Sequence, residues 1–165
     1  MRVPFCFLIG VTIAFLAPSS IVMAATATTT MAVTATVLKF CTVVATPMVF
    51  GNYTSSTDAI STSTITVTCT SGTTYDIGLD AGGTSGATVT TREMRGTVAT
   101  TARLNYFLYS DAARSVNWGN TVSTDTVHLT AGVVPTASTV FGRVPAGQFS
   151  TPDAYTDLVN VTVTY

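Results

Sequence analysis

Side chains able to do chemistry are scarce in this sequence. His128 is the only histidine among 165 residues, and it lies in the apolar, threonine-rich run Thr126–Thr130. A serine or cysteine hydrolase needs a nucleophile, a base and a group that orients the base. A single imidazole on such a run reads as a surface or strand residue instead. Asp58, Asp76, Asp80, Asp111, Asp125, Asp153 and Asp157 invite a search for the carboxylate pair of a glycosidase. Most of them flank turn signals, where aspartate binds its own backbone. Asp76 and Asp80, near a strand end, lack the oxygen density of a calcium site. No glycine-rich loop leads into a helix to cradle phosphate. The expectation is therefore no catalytic residue, no cofactor and no metal.

The cysteines point to a compartment. Met1-Arg2 followed by the apolar stretch from Phe5 to Ala17 and by Val22-Met23-Ala24 has the plan of a secretory signal peptide, residues 1–24. Pro18-Ser19-Ser20 interrupts the run, which is short for a bilayer span. Cys6 leaves with that signal, so Cys41 and Cys69 remain. In an exported chain such a pair predicts a disulfide, worth roughly 3–4 kcal/mol in the chain-entropy model. A zinc site would need further Cys or His ligands.

Charge excludes another class of partner. Only 9% of residues are charged and the net charge is −1, against roughly 25% charged in ordinary globular proteins. With no basic patch to follow a phosphate backbone, nucleic acid is not expected as a partner. Threonine, at 35 residues, supplies β-branched side chains that cover a sheet with hydroxyls in place of charges.

Any functional residue must therefore sit on strands. Val37–Ala45, Ser61–Thr70, Tyr75–Leu79, Ala102–Tyr109, Thr126–Thr130, Ser138–Val144 and Tyr155–Tyr165 have strand character. Turn signals at Ala81-Gly82-Gly83, Asn117–Asn120, Pro145-Ala146-Gly147 and Pro152-Asp153 separate them. No window keeps a 3.6-residue apolar period. The pattern predicts an all-β, antiparallel, immunoglobulin-like sandwich, with Tyr155 a candidate for the hydrogen bond that such domains make at a corner.

Both ends of that chain alternate. At the C-terminal end, Val159, Val161, Val163 and Tyr165 share one face. At the other end Ala27, Thr29, Met31, Val33, Ala35 and Val37 share a face, opposite mainly threonines. The segment either forms the first strand of its own sandwich or fills a gap in a neighbouring molecule by strand addition. Burying Met31, Val33 and Val37 at roughly 1.5–3 kcal/mol each is enough for a strong joint.

From about Val33 to Tyr165 the chain resembles the spore coat protein U domain family, which includes subunits of archaic chaperone–usher pili. The resemblance rests on Cys41–Tyr53 (CTVVATPMVFGNY), Ile65–Gly82 (ITVTCTSGTTYDIGLDAG), Leu104–Asn120 (LNYFLYSDAARSVNWGN), Val140–Gln148 (VFGRVPAGQ) and Tyr155–Tyr165 (YTDLVNVTVTY). Phe107 and the apolar run Val127–Val134 depart from the family pattern, and each reads as drift at a tolerant position in preference to an extra contact surface between subunits.

The resemblance implies an incomplete immunoglobulin-like β-sandwich that lacks its last strand and is completed by a donor strand from another subunit. Its domains are the signal peptide (1–24), an N-terminal donor-strand extension (25–37) and the sandwich (38–165). Residue by residue, Cys41 and Cys69 match the family disulfide, and Met31, Val33, Ala35 and Val37 the donor strand. Val159, Val161, Val163 and Tyr165 match the strand bordering the acceptor groove, with the Tyr165 carboxylate a candidate anchor for a chaperone. The implied partners are a periplasmic pilus chaperone, an outer-membrane usher and neighbouring pilin subunits in a homopolymer. The implied location is the periplasm in transit, then the cell surface or pilus, in adhesion and biofilm formation. A secreted spore-coat or matrix protein that forms no long fibres is the alternative. A tip adhesin normally carries a further receptor domain.

Overall fold

The computed structural model describes residues 22–165, so all but the last three residues of the expected signal peptide lie outside it. The chain divides into two units, Met1–Ala35 and Thr36–Tyr165. In the first, residues 22–35 form neither helix nor strand and are exposed. The strand suggested by the alternation over 26–37 is not formed within this chain. A strand, unlike a helix, satisfies its backbone groups only against a neighbour, and this segment pairs with none.

The second unit builds nine strands and, among the described residues, no helix: β1 (Cys41–Ala45), β2 (Ala59–Cys69), β3 (Thr74–Leu79), β4 (Arg92–Gly96), β5 (Arg103–Tyr109), β6 (Val127–Thr130), β7 (Thr136–Val144), β8 (Tyr155–Thr156) and β9 (Val161–Thr164). They form a six-stranded sheet, β1-β2-β7-β5-β4-β8, and a three-stranded sheet, β6-β3-β9. Every ladder is antiparallel. The core lies between the sheets. Ile65, Val67, Leu108 and Val140 come from the larger sheet, Tyr75, Ile77 and Leu79 from the smaller, and Trp118 from the loop before β6. Their period-two spacing is what a half-buried strand requires.

Two expectations about elements need correction, and one strand was not expected. The strand expected from Val37 begins at Cys41, where the ladder to β2 starts. The strand expected over Tyr155–Tyr165 is broken into β8, which pairs with β4, and β9, which pairs with β3 in the other sheet. Side-chain oxygens supply the bonds at the break. Asp157 Oδ1 accepts from the amides of Gly83 and Leu158, and Asp80 Oδ1 from that of Asn160. Finally β4, Arg-Glu-Met-Arg-Gly, carries no strand signal, yet Arg92 is fully buried there. Its guanidinium donates to the carbonyls of Leu79, Asp80, Val89 and Trp118 at 2.7–2.8 Å, which offsets the cost of burying a cation.

Candidate functional site

β1 and β9 are each the last strand of a sheet. They lie side by side, yet no ladder joins them. At one end the Cys41–Cys69 disulfide, S–S 2.04 Å, ties β1 to β2. Beyond Ala45, Pro47 cannot donate to a ladder, and residues 157–160 belong to neither sheet.

The gap leaves a cleft over the core, whose own residues stay buried. A cleft of about 520 Å³ lies between Ala45, Met48 and Phe50 on one wall and Asp157, Val159 and Val161 on the other, with Ile65, Leu79, Leu108 and Val140 as its floor. It shares Met48, Phe50, Met94 and Tyr155 with a cavity of about 1030 Å³ beyond it. Met48 and Phe50 reach this position across the bare backbone of Gly142. A Cβ on that residue would come within 2.2 Å of the Met48 sulfur.

Polar groups hold the walls in place. Tyr106, on the floor, donates to Asp157 at 2.5 Å. Burial first, and then this carboxylate, raise the phenol's pKa well above its ordinary value, so it remains a donor. Burial pushes the Asp80 carboxyl up, but bonds from the Asn160 side chain and from the Gly82 and Asn160 amides outweigh it, and the pKa is lowered. Tyr155 donates to the carbonyl of Thr151 at 2.6 Å, the corner bond its sequence context suggested. Tyr53 donates to Pro145 at 2.8 Å and accepts from the Gln148 amide, fixing the outer cavity.

The residues singled out in the sequence fall as follows. Val159 and Val161 line the cleft. Val163 packs on the core opposite Ile77, and Tyr165 lies beyond the end of β9, half exposed. Met31, Val33 and Val37 are 80–84% exposed. Sequence reasoning missed Met48, Phe50, Tyr106 and Asp157, which come together only through the fold. Asp76 binds Thr126 at 2.8 Å and His128 at 3.0 Å on the β3–β6 surface. Its pKa is lowered chiefly by the bond to His128. Among the described residues no group of three or more His, Cys, Asp or Glu is placed to hold a metal.

A sandwich with two unpaired edges flanking an apolar cleft is an incomplete immunoglobulin-like domain. A family model described as the Spore Coat Protein U domain matches residues 27–162, and the chain belongs to that family. Protein U of Myxococcus xanthus is 38% identical over 112 residues, which cover 66% of this chain and 62% of that protein. A chain in the crystal structure of the CsuC–CsuE chaperone–tip adhesion subunit pre-assembly complex, from archaic chaperone–usher Csu pili of Acinetobacter baumannii, is similar in fold. The TM-score is 0.58 at 22% identity, over 79% of this chain and 41% of that one. The chain thus spans less than two thirds of each of these relatives.

Proposed function

We propose that the protein is a secreted, non-enzymatic structural subunit that polymerises by donor-strand exchange. Residues 25–37 of one copy occupy the cleft between β1 and β9 of the next. The observation that carries this reading is the pairing of complements: an apolar cleft over the core flanked by two unpaired edges, and an exposed apolar stripe on an unpaired arm. Docking the stripe yields roughly 1.5–3 kcal/mol for each large side chain buried, and each new backbone hydrogen bond adds about 1 kcal/mol net. Left open, the same edges are an aggregation hazard. That hazard supports a periplasmic chaperone that covers them and an outer-membrane usher that exchanges chaperone for subunit. The product is a homopolymeric pilus on the cell surface, serving adhesion and biofilm formation.

A second reading is a secreted spore-coat or matrix protein without long fibres, favoured by the description of the matching family model, Spore Coat Protein U domain. Unboiled gel electrophoresis of the extracellular fraction separates the two. A detergent-resistant ladder that disappears on deletion of residues 25–36 supports the pilus. A single monomer band in both samples supports the coat protein.

A further inference from the structure

Donor-strand exchange, on which this inference rests, leaves open which arm residue meets which cleft residue. Lys39 is the only lysine in the sequence. It lies exposed two residues beyond Val37, in the same alternating phase, and no ion pair of the described residues includes it. In the acceptor, residues 153–163 alternate strictly. Odd positions are partly buried and even positions exposed, so Asp157, Val159, Val161 and Val163 face the same way. Asp157 lines the cleft, and no ion pair of the described residues includes it either. Its carboxylate takes three donors, from Tyr106, Gly83 and Leu158, and a carboxylate has room for about four.

We propose that the arm of a second copy pairs antiparallel with the 157–165 edge in one register, Val33 opposite Val163, Val37 opposite Val159 and Lys39 opposite Asp157. Antiparallel pairing matches every ladder in the domain, and directly opposed residues share a face. A shift of two residues one way sets Lys39 against Val159 and buries an ammonium on an apolar wall, which is costly. A shift the other way sets Val37 against the carboxylate. A single register satisfies the apolar stripe and the charge together. It requires β1 and β9 to move apart, and no ladder bond between them opposes that.

Crosslinking tests the register at outward positions that leave the core untouched. Thr162→Cys is combined in turn with Ala32→Cys, Thr34→Cys or Thr36→Cys in the full chain, secreted by its native host. Each sample is run unboiled, and boiled without reductant. The register predicts covalent multimers about tenfold more abundant with Thr34→Cys than with its neighbours, because only that pair brings Cβ atoms within disulfide range. Unboiled multimers whose covalent bond forms through Ala32→Cys or Thr36→Cys, or through none, overturn the register and leave strand exchange standing. A crosslink within a monomer shows that the arm fills its own cleft and overturns both. Absence of unboiled multimers overturns the proposed function itself. Lys39→Glu should lower the temperature at which multimers dissociate without changing the monomer's melting, and an unchanged dissociation temperature overturns the ion pair.

Discussion

The hydroxyl of Tyr106 on β5 lies 2.5 Å from Oδ2 of Asp157 in the connection between β8 and β9, joining the floor of the cleft to its wall. That wall is otherwise held by the bonds from Oδ1 of Asp157 to the amides of Gly83 and Leu158. Loss of the phenol should therefore loosen the site without emptying the core. Tyr106→Phe is expected to destabilise the domain by about 1–3 kcal/mol, the cost of a buried acceptor losing its donor. Urea denaturation of the monomeric domain checks this.

Arg92 offers a sharper case. Its guanidinium serves four carbonyls, and no side chain of similar size replaces those donors. Arg92→Met should lower stability by at least about 3 kcal/mol, because several buried acceptors are orphaned together. A loss under 1 kcal/mol would mean that water enters the site and satisfies them.

The arm and the domain should respond independently. Val33 is 81% exposed, so Val33→Asp is expected to leave the melting temperature of the monomer within error of the parent. The same change should abolish detergent-resistant multimers, since a carboxylate would have to enter an apolar cleft. Normal multimers from this variant would sink strand exchange.

The disulfide spans a sequence separation of 28 residues and fixes the start of β1 to the end of β2. Replacing Cys41 and Cys69 together with serine should cost about 3–4 kcal/mol, read as a fall in the denaturant midpoint. Because β1 forms one wall of the cleft, multimer yield should fall with it.

Acid should weaken the β9 connection through Asp80. Its folded pKa lies below the ordinary 3.8, so the ionised form binds the Asn160 and Gly82 donors better than the protonated form does. The stabilisation is complete above the unfolded value and disappears as pH falls through the folded one. Melting temperature should therefore drop below about pH 4; Asp58, Asp76, Asp111 and Asp153 shift the same way, so Asp80→Asn should reduce that drop without abolishing it.

Much of this was legible beforehand. The alternation in Ile65–Cys69, Tyr75–Leu79 and Leu104–Leu108 marks the faces that form the core, because period two and burial on one face are the same constraint. The cysteine pair was readable for a different reason, two cysteines remaining in a chain that begins with an export signal. The break between β8 and β9 was not. Asp157 accepts from the Gly83 amide 74 positions away and Asp80 from the Asn160 amide 80 positions away, and nothing in "YTDLVNVTVTY" shows that distant carboxylates and amides replace the ladder there. β4 was invisible because Arg92 is polar by type and buried by circumstance.

By itself, the order of residues settles which side chains alternate, where turns interrupt them, and that the arm carries an apolar stripe, since these are properties of neighbours along the chain. Only the tertiary structure decides that β1 and β9 end their sheets beside one another and that Met48 and Phe50 cross Gly142 to complete a wall of the cleft. Which strand is left unpaired depends on contacts between segments a hundred residues apart, and no local period encodes those.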